Sequence, residues 1–385
     1  MTQHVVIVGG GHAAAQLCAS LTEEKFDGRV TMVSDERHLP YHRPPLSKTL
    51  IQDATAVLPE LRGATLYQQQ GVTLQLGTQV VAIDRDRRQL ALSPGGTLPY
   101  DHLVLATGAR ARPLPDVPAG TAGVFYLRTF DDAVALKIHA AAAQQVLVLG
   151  GGFIGLELAA TLRALGKQVT VVDSASRLMA RAVSPGISAH VLNAHTANGI
   201  SVRMAQPVAQ VVVEQGRFRA LVLGEETLEA NMLIVGIGSL PNTGLAEAAG
   251  LACDNGVVVD EELRTSDAAI SAIGDCASFH YPLWSQRLRL ESVQNANQQA
   301  RHVAARLCGA RKPFLNMPWF WSDQGGIRLQ MTGLWRPDYR SETSPANANG
   351  GFSIMHYEND TLRAVESINA APEHLRARKS LQQST

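Results

Sequence analysis

The chain has 385 residues. At roughly 100–200 residues per domain, that length suggests two or three domains, each able to bury a core. Hydrophobic residues at 45% and charged ones at 18% give the balance of a soluble globular protein, and 34 basic against 34 acidic side chains leave no formal net charge, which argues against a nucleic-acid or anionic-membrane binder.

The chain runs directly into an apolar strand, His4-Val5-Val6-Ile7-Val8, with no basic stretch leading an apolar one, so no signal peptide is expected. Gly9, Gly10 and Gly11 follow, then a helix-like stretch to Leu21 and a second apolar strand from Arg29 to Ser34. Another short strand, Tyr100 to Gly108, ends this block, and Pro113 and Pro115 mark a linker before residue 120. The same design then returns. Val146-Leu147-Val148-Leu149 leads into Gly150, Gly151 and Gly152, a helix runs to about Leu165 with Gly166 as its stop, and Gln168 to Val172 forms the next strand. Strand, tight turn, helix, strand is the βαβ unit of a parallel sheet, so the fold class expected is α/β with two Rossmann-like units. A strand from Asn231 to Gly238 ends the second block, and a further one, Ile270 to Ile273, runs into Gly274-Asp275-Cys276. After Met317 the pattern becomes alternating strands, with Asn359-Asp360 as a hairpin turn and a final helix from about Pro372: a C-terminal α+β domain. No apolar run approaches the roughly 20 residues that a membrane span needs.

The two glycine turns point to dinucleotides. In GxGxxG the first glycine permits the tight turn, the second lets the backbone approach a pyrophosphate, and the third lets the helix pack close. The helix N-terminus then offers free N–H groups and partial positive charge. The first copy is Gly9-x-Gly11-x-x-Ala14, with alanine in the third place, and the second is Gly150-x-Gly152-x-x-Gly155. Each is followed by an acid near the end of the next strand, Asp35 (or Glu36) and Asp173, suited to accept from ribose hydroxyls. A carboxylate at Asp173 repels a 2′-phosphate and favours NADH over NADPH, although Arg177 and Arg181 nearby argue the other way. Cys18, Cys253, Cys276 and Cys308 form no CxxC or ligand spacing, so reduced thiols in a cytoplasmic protein are expected, and the twelve scattered histidines suggest no metal site.

Several segments together carry a family resemblance. They are Tyr41 to Lys48, the Ala106-Thr107-Gly108 turn, Gly150 to Glu157, Ala272 to Cys276, Glu291-Ser292-Val293 and Pro318 to Gln324. Over nearly its whole length the chain resembles the FAD-dependent ferredoxin reductases of bacterial oxygenase systems, of the putidaredoxin reductase and biphenyl dioxygenase reductase type. The resemblance implies a glutathione reductase-like fold, with an FAD domain (residues 1–112 and 241–317) interrupted by an NAD domain (113–240), then a C-terminal domain (318–385). Chains of that family continue past the final helix, whereas this one ends at Thr385. The implied activity takes hydride from NADH onto FAD and passes single electrons to a two-iron ferredoxin, for a haem monooxygenase or a Rieske dioxygenase. A monomer is expected.

The resemblance also assigns roles. Gly9, Gly11, Ala13, Ala14 and Asp35 would hold FAD, with Asp275 after Gly274 on its ribityl chain. Further FAD contacts would come from Arg43, Pro45, Val80, Thr107, Gly108, Arg128 and Val293. Gly150, Gly152, Ile154, Gly155 and Asp173 would hold NAD, with Glu291, Gly236 and Ile237 near the nicotinamide. Lys48 would lie under the flavin ring, where its charge would favour the reduced, anionic flavin, and Glu157 would face it across the domain junction. Such a buried pair is costly unless mutually satisfied. Trp321 would stand at the flavin edge, sharing a strand face with Trp319, as electron exit or docking floor. Arg301, Arg306, Arg311 and Lys312 are candidate cations for docking an acidic ferredoxin.

Rival functions are a thiol-disulfide oxidoreductase or thiol-dependent NADH oxidase, a signalling flavoprotein of the apoptosis-inducing-factor type, and a reductase for rubredoxin. The first needs a redox cysteine near the flavin, and His38 to Leu50 contains none. Zero net charge and the absent targeting segment weigh against the second.

Overall fold

Five parallel strands, in the spatial order Ile270–Ala272, His102–Leu105, Gln3–Val8, Gly28–Ser34 and Val72–Leu76, make the first sheet. A parallel sheet is covered on both faces, so its strands read as near-continuous apolar runs. Val5, Val6, Ile7, Leu103 and Val104 are accordingly buried. The helix His12–Glu23 follows the first strand and packs on the helix Val293–Leu307. Small buried residues on each, such as Ala14 and Ala15 on one and Ala296 and Ala300 on the other, suit a close approach. Ile270–Ala272 comes from far along the chain to edge this first sheet.

The structure is a computed structural model that describes residues 3–383. By internal contacts the chain forms two units: Met1–His42, Pro59–Arg110 and Leu240–Pro318 in the first, and Arg43–Leu58, Ala111–Ser239 and Trp319–Thr385 in the second. The short segment Arg43–Leu58 thus groups with the second unit although the chain on either side of it belongs to the first.

In the second unit a parallel sheet is ordered Ser201–Arg203, Gln168–Val172, Gln145–Leu149, Met232–Val235 and Val124–Phe125. The helix after its glycine turn spans Phe153–Ala164, and Gly166, at φ 79°, supplies the left-handed residue that ends it. The hairpins Gln210–Glu214, Arg217–Leu223 and Glu226–Glu229 form an antiparallel meander that the sequence pattern does not mark. Its Phe218, Leu221 and Leu223 join Leu147, Leu149, Leu233 and Val235 in one core. The C-terminal sheet of the same unit is antiparallel, ordered Trp319–Gln324, Ile327–Gly333, Thr361–Ile368, Phe352–Glu358 and Arg340–Thr343, with the helix Ala371–Gln383 packed on it. Asn359 and Asp360, at φ 47° and 64°, make the two-residue hairpin turn with the positive φ that such turns require. Among the described residues no helix is long and apolar enough to cross a membrane.

Buried histidines set the acid response of this fold. Burial pushes His374 down to about 4, and burial together with Arg306 pushes His102 to about 3. Both are neutral when folded near pH 6, whereas in the unfolded chain they take up protons near 6.5. The unfolded state therefore binds more protons as pH falls, and stability is lost on acidification from about 6.5 downwards. We expect the melting temperature to fall steadily between pH 6.5 and 4, and His374→Gln to flatten that slope in thermal unfolding followed by circular dichroism.

Candidate dinucleotide and redox site

Each glycine in the two turns has a distinct steric reason. A Cβ on Gly9 would lie 2.2 Å from the Ala106 carbonyl oxygen, and one on Gly150 would lie 2.4 Å from that of Gly236, with φ at 122° and 110°. The turns pass too close to the neighbouring strand end for any side chain. Gly11 is different: a Cβ there would meet nothing within 4 Å, and at Gly152 only the Gly236 oxygen at 3.9 Å. These second glycines leave open the side from which a ligand's phosphates would approach. A Cβ on Gly155 would lie 2.2 Å from the Gly150 oxygen, so the third glycine of that copy serves tight packing. Neither helix receives a side-chain cap at Gly11 or Gly152, and neither has an acid in its first turn. Neither helix start is therefore closed by a capping side chain of its own, and the residues present fit two pyrophosphates.

The two acids are not equivalent. The Gly9 amide donates to Val33 O at 2.8 Å and the Gly150 amide to Val172 O at 2.8 Å, so these residues correspond. The next position is Ser34 in the first unit and Asp173 in the second. Asp35 stands one residue further on and is exposed. Asp173 accepts from the Gly151 amide at 2.6 Å and from the Ala175 amide at 2.8 Å, which fixes a negative charge against the second turn. Arg177 is turned away from a phosphate-binding role: it donates to Val183 O and Ala180 O, both at 2.7 Å, and stacks over Trp335. Arg181 is exposed.

Within the first unit, distant segments meet beside the first turn. Thr107 Oγ1 donates to Asn242 O at 2.8 Å, the Asn242 side chain returns a bond to Thr107 O at 2.8 Å, and the Asn242 amide donates to Gly108 O at 2.9 Å. Gly274, at φ 76°, turns close over Ala13, and its amide donates to Gln299 Oε1 at 2.7 Å. Arg289 donates to Asp275 O at 3.1 Å and pairs with Glu291 at 2.5 Å, which ties Asp275 and Glu291 together. Ser292 caps the helix that begins at Val293. Val80 is buried in a separate antiparallel sheet of the same unit.

The second unit holds Arg43, Pro45, Lys48, Arg128, Glu157, Gly236, Ile237 and Trp321. Pro44 and Pro45 open a 3-10 turn that ends at Ser47. Arg43 donates to Arg128 O at 2.7 Å, at the capped start of the helix Phe130–Ala142. Lys48 Nζ lies 2.6 Å from Glu157 Oε2. The same oxygen accepts from Ser47 Oγ at 2.5 Å, while Oε1 accepts from Ser322 Oγ at 2.7 Å. Thr161, one turn after Glu157 on its helix, donates to Ser47 O at 2.8 Å. The expectation that Lys48 and Glu157 face each other is realised inside one unit, because the loop that carries Lys48 belongs with the helix that carries Glu157. Sequence reasoning did not single out Ser47, Thr161 and Ser322. The alternation of Ser322 and Gln324 with Trp321 and Asp323 was a usable signal, since a strand face of polar residues next to an aromatic face has to meet polar partners.

Trp319 and Trp321 stack at 5.6 Å, and Arg378 from the last helix lies 4.3 Å over Trp319. Phe320, on the opposite face, packs on Phe153 at 4.6 Å. Trp321 is half-buried. Of the candidate docking cations, Arg301, Arg311 and Lys312 are exposed, but Arg306 is not available: it turns inward to donate to Ser271 Oγ at 2.6 Å beside His102. Burial pushes the Cys18 thiol up to about 12 and that of Cys276 upward, so neither is a ready thiolate.

Two glycine turns with open second positions, in a chain that also pairs a lysine with a buried glutamate, define a two-dinucleotide oxidoreductase. The family model described as pyridine nucleotide-disulphide oxidoreductase matches residues 3–300, and that described as reductase C-terminal matches residues 319–385. Rhodocoxin reductase of Rhodococcus erythropolis is 42% identical over 379 residues, spanning 98% of this chain and 89% of the relative. The solved ferredoxin reductase for the CYP199A2 system from Rhodopseudomonas palustris has a TM-score of 0.94 and 43% identity, covering 98% of this chain and 94% of that one. A covalent putidaredoxin reductase–putidaredoxin complex contains a chain with a TM-score of 0.93 and 40% identity, covering 98% of this chain and 93% of that one. The chain belongs to the pyridine nucleotide-disulphide oxidoreductase family. It is a flavoprotein oxidoreductase whose cofactors are FAD and NAD.

The glycine geometry separates binding from folding. Gly152→Val should leave the melting temperature within a few degrees while raising the KM for NADH at least roughly tenfold, about 1.4 kcal/mol of lost binding. Gly155→Ala, which drives a methyl into the Gly150 carbonyl, should instead lower the melting temperature itself.

Proposed function

We propose that this protein is the FAD-dependent NADH:ferredoxin reductase of an oxygenase system, passing electrons one at a time to a two-iron ferredoxin. The observation that carries the redox part is the Lys48–Glu157 pair, held at 2.6 Å on a proline-stiffened loop and the helix of the second glycine turn. FAD, when bound, would supply two-electron hydride acceptance and one-electron release, the chemistry needed between a two-electron donor and a one-electron acceptor. The protein's own residues bind, orient and set charge.

In this reading residues 1–112 and 241–317 hold FAD, residues 113–240 hold NAD, and residues 318–385 form the C-terminal domain. Gly9, Gly11, Ala13 and Ala14 take the FAD pyrophosphate, with Asp35 on the ribose. Thr107, Gly108, Gly274 and Asp275 line the same cofactor, with Val80 and Val293 offering backbone groups. Arg43, Pro45 and Arg128 hold the loop that brings Lys48 to the flavin, where its positive charge favours electron uptake. Gly150, Gly152, Ile154 and Gly155 take NADH, with Glu291, Gly236 and Ile237 toward the nicotinamide. Asp173 selects NADH, supported by the diversion of Arg177 onto backbone carbonyls and Trp335. The aromatic rings of Trp319 and Trp321 offer the electron exit. Arg301, Arg311 and Lys312 steer an acidic ferredoxin, and the protein works as a cytoplasmic monomer.

Anaerobic titration tests the reading directly. NADH should bleach the flavin at far lower concentration than NADPH, and a two-iron ferredoxin added afterwards should be reduced faster than a rubredoxin. Lys48→Met should slow flavin reduction by NADH roughly tenfold or more, about 1.4 kcal/mol of barrier. Equal bleaching by the two nucleotides would remove the role given to Asp173, and an unchanged Lys48→Met rate would remove that of the lysine.

Docking is tested separately. Arg301→Glu combined with Arg311→Glu should slow ferredoxin reduction about tenfold or more at low ionic strength and flatten its dependence on salt, as loss of steering charge requires. Stopped-flow traces across a salt series read both effects.

A further inference from the structure

Glu157 is approached from a second side by a chain of buried polar groups that the proposed chemistry does not use. Ser322 Oγ donates to Glu157 Oε1 at 2.7 Å, Gln324 Nε2 donates to Ser322 Oγ at 3.0 Å, and Gln324 Oε1 lies 3.0 Å from His195 Nε2. Ser322, Gln324 and His195 are all within 1% of complete burial. The amide oxygen of Gln324 can only accept, so His195 carries its proton on Nε2. Its Nδ1 has no hydrogen-bond partner among the described residues, and burial lowers its affinity for a second proton. Every donor in the series therefore points the same way: His195 to Gln324, Gln324 to Ser322, Ser322 to Glu157. Aligned bonds of this kind polarise one another.

The arrangement has a division of labour. Glu157 Oε2 takes Lys48 and Ser47, both from the loop, whereas among the described residues Oε1 takes only Ser322. A carboxylate pulled by the loop alone is free to rotate about its last bond, and the second oxygen's anchor removes that freedom. Strand Trp319–Gln324 is well placed to supply it. Phe320, on the same strand face as Ser322, packs on Phe153, the first residue of the helix that bears Glu157, so the strand is braced against the helix one turn from the carboxylate. Burying three polar side chains together is costly, and here each makes a hydrogen bond within a series that ends on its only charge, with His195 Nδ1 left unpaired among the described residues.

We propose that Ser322, backed by Gln324 and His195, is a positioning residue that locks Glu157 against Lys48 and so sets the redox poise of the flavin. The inference rests on the reading of Lys48 and Glu157 as the flavin's charge pair. Loss of the Ser322 hydroxyl loosens the carboxylate and leaves the Lys48 charge less compensated. A less compensated cation favours electron uptake, so the flavin midpoint potential moves upward.

The test compares Ser322→Ala, Gln324→Met and Glu157→Gln as FAD-loaded full-length proteins, with FAD content and melting temperature measured for each. Glu157→Gln should raise the midpoint potential in an equilibrium dye titration. Ser322→Ala should raise it in the same direction by less, and Gln324→Met by less again. The limiting rate of flavin reduction at saturating NADH should rise in Ser322→Ala in step with the raised potential, by up to roughly tenfold, the factor that one hydrogen bond of ordinary net strength controls, while the KM for NADH stays unchanged. In a Glu157→Gln background Ser322→Ala should add little, since both act on one carboxylate. A potential that moves in Glu157→Gln but not in a folded, FAD-loaded Ser322→Ala would overturn this inference and leave the charge pair standing. A potential unmoved by Glu157→Gln would overturn the charge pair and the inference with it. Were Ser322→Ala to lose FAD, Gln324→Met takes its place: a raised potential there supports the inference, and an unmoved one overturns it.

Discussion

Glu157 places a carboxylate that is 5% exposed beneath an aromatic strand, and the second unit is arranged around satisfying it. A buried ion pair gains from Coulomb attraction only if its geometry is good and the remaining lone pairs are used. Here one oxygen takes a lysine and a serine from the loop, and the other takes a serine from the C-terminal sheet. That requirement links three pieces of chain remote in sequence: Arg43–Leu58, the helix Phe153–Ala164 and the strand Trp319–Gln324. It also gives a physical reason for the grouping of the Lys48 loop with the second unit. The loop is bound through Arg43, Ser47 Oγ, Ser47 O, Lys48 and Asp53 O, and their partners Arg128, Glu157, Thr161 and Lys137 all lie in that unit.

The two glycine turns share a backbone and differ in surroundings. Their first glycines meet a carbonyl from a neighbouring strand end at nearly the same distance, and their second glycines face open space. The differences sit beside the turns. Ser34 stands in the first where Asp173 stands in the second, and the first turn is overlaid by Gly274, which comes from far along the chain.

Much of this was legible in the residues. The repeated strand–glycine–helix pattern, the Asn359-Asp360 hairpin and the Gly166 helix stop follow from local rules: β-branched runs, positive φ and helix periodicity act over a few residues and leave their mark in them. The meander Gln210–Glu229 was less legible because its strands are half exposed and its alternation weak. Arg306 misled for the opposite reason. An arginine near a helix end reads as a solvated cation, and only the packing shows that its guanidinium turns in to Ser271 and His102.

By itself the sequence determined that there are two dinucleotide turns, where they start and stop, and that an acid follows each, because each of these depends on residues within one supersecondary unit. The tertiary structure decided which acid occupies the equivalent position, which arginines remain exposed, and what surrounds Glu157. The surroundings of Glu157 depend on contacts between residues more than 100 apart in the chain, Ser47 and Ser322 with Glu157, and the other two on how strands and side chains pack, none of which leaves a local periodicity to read.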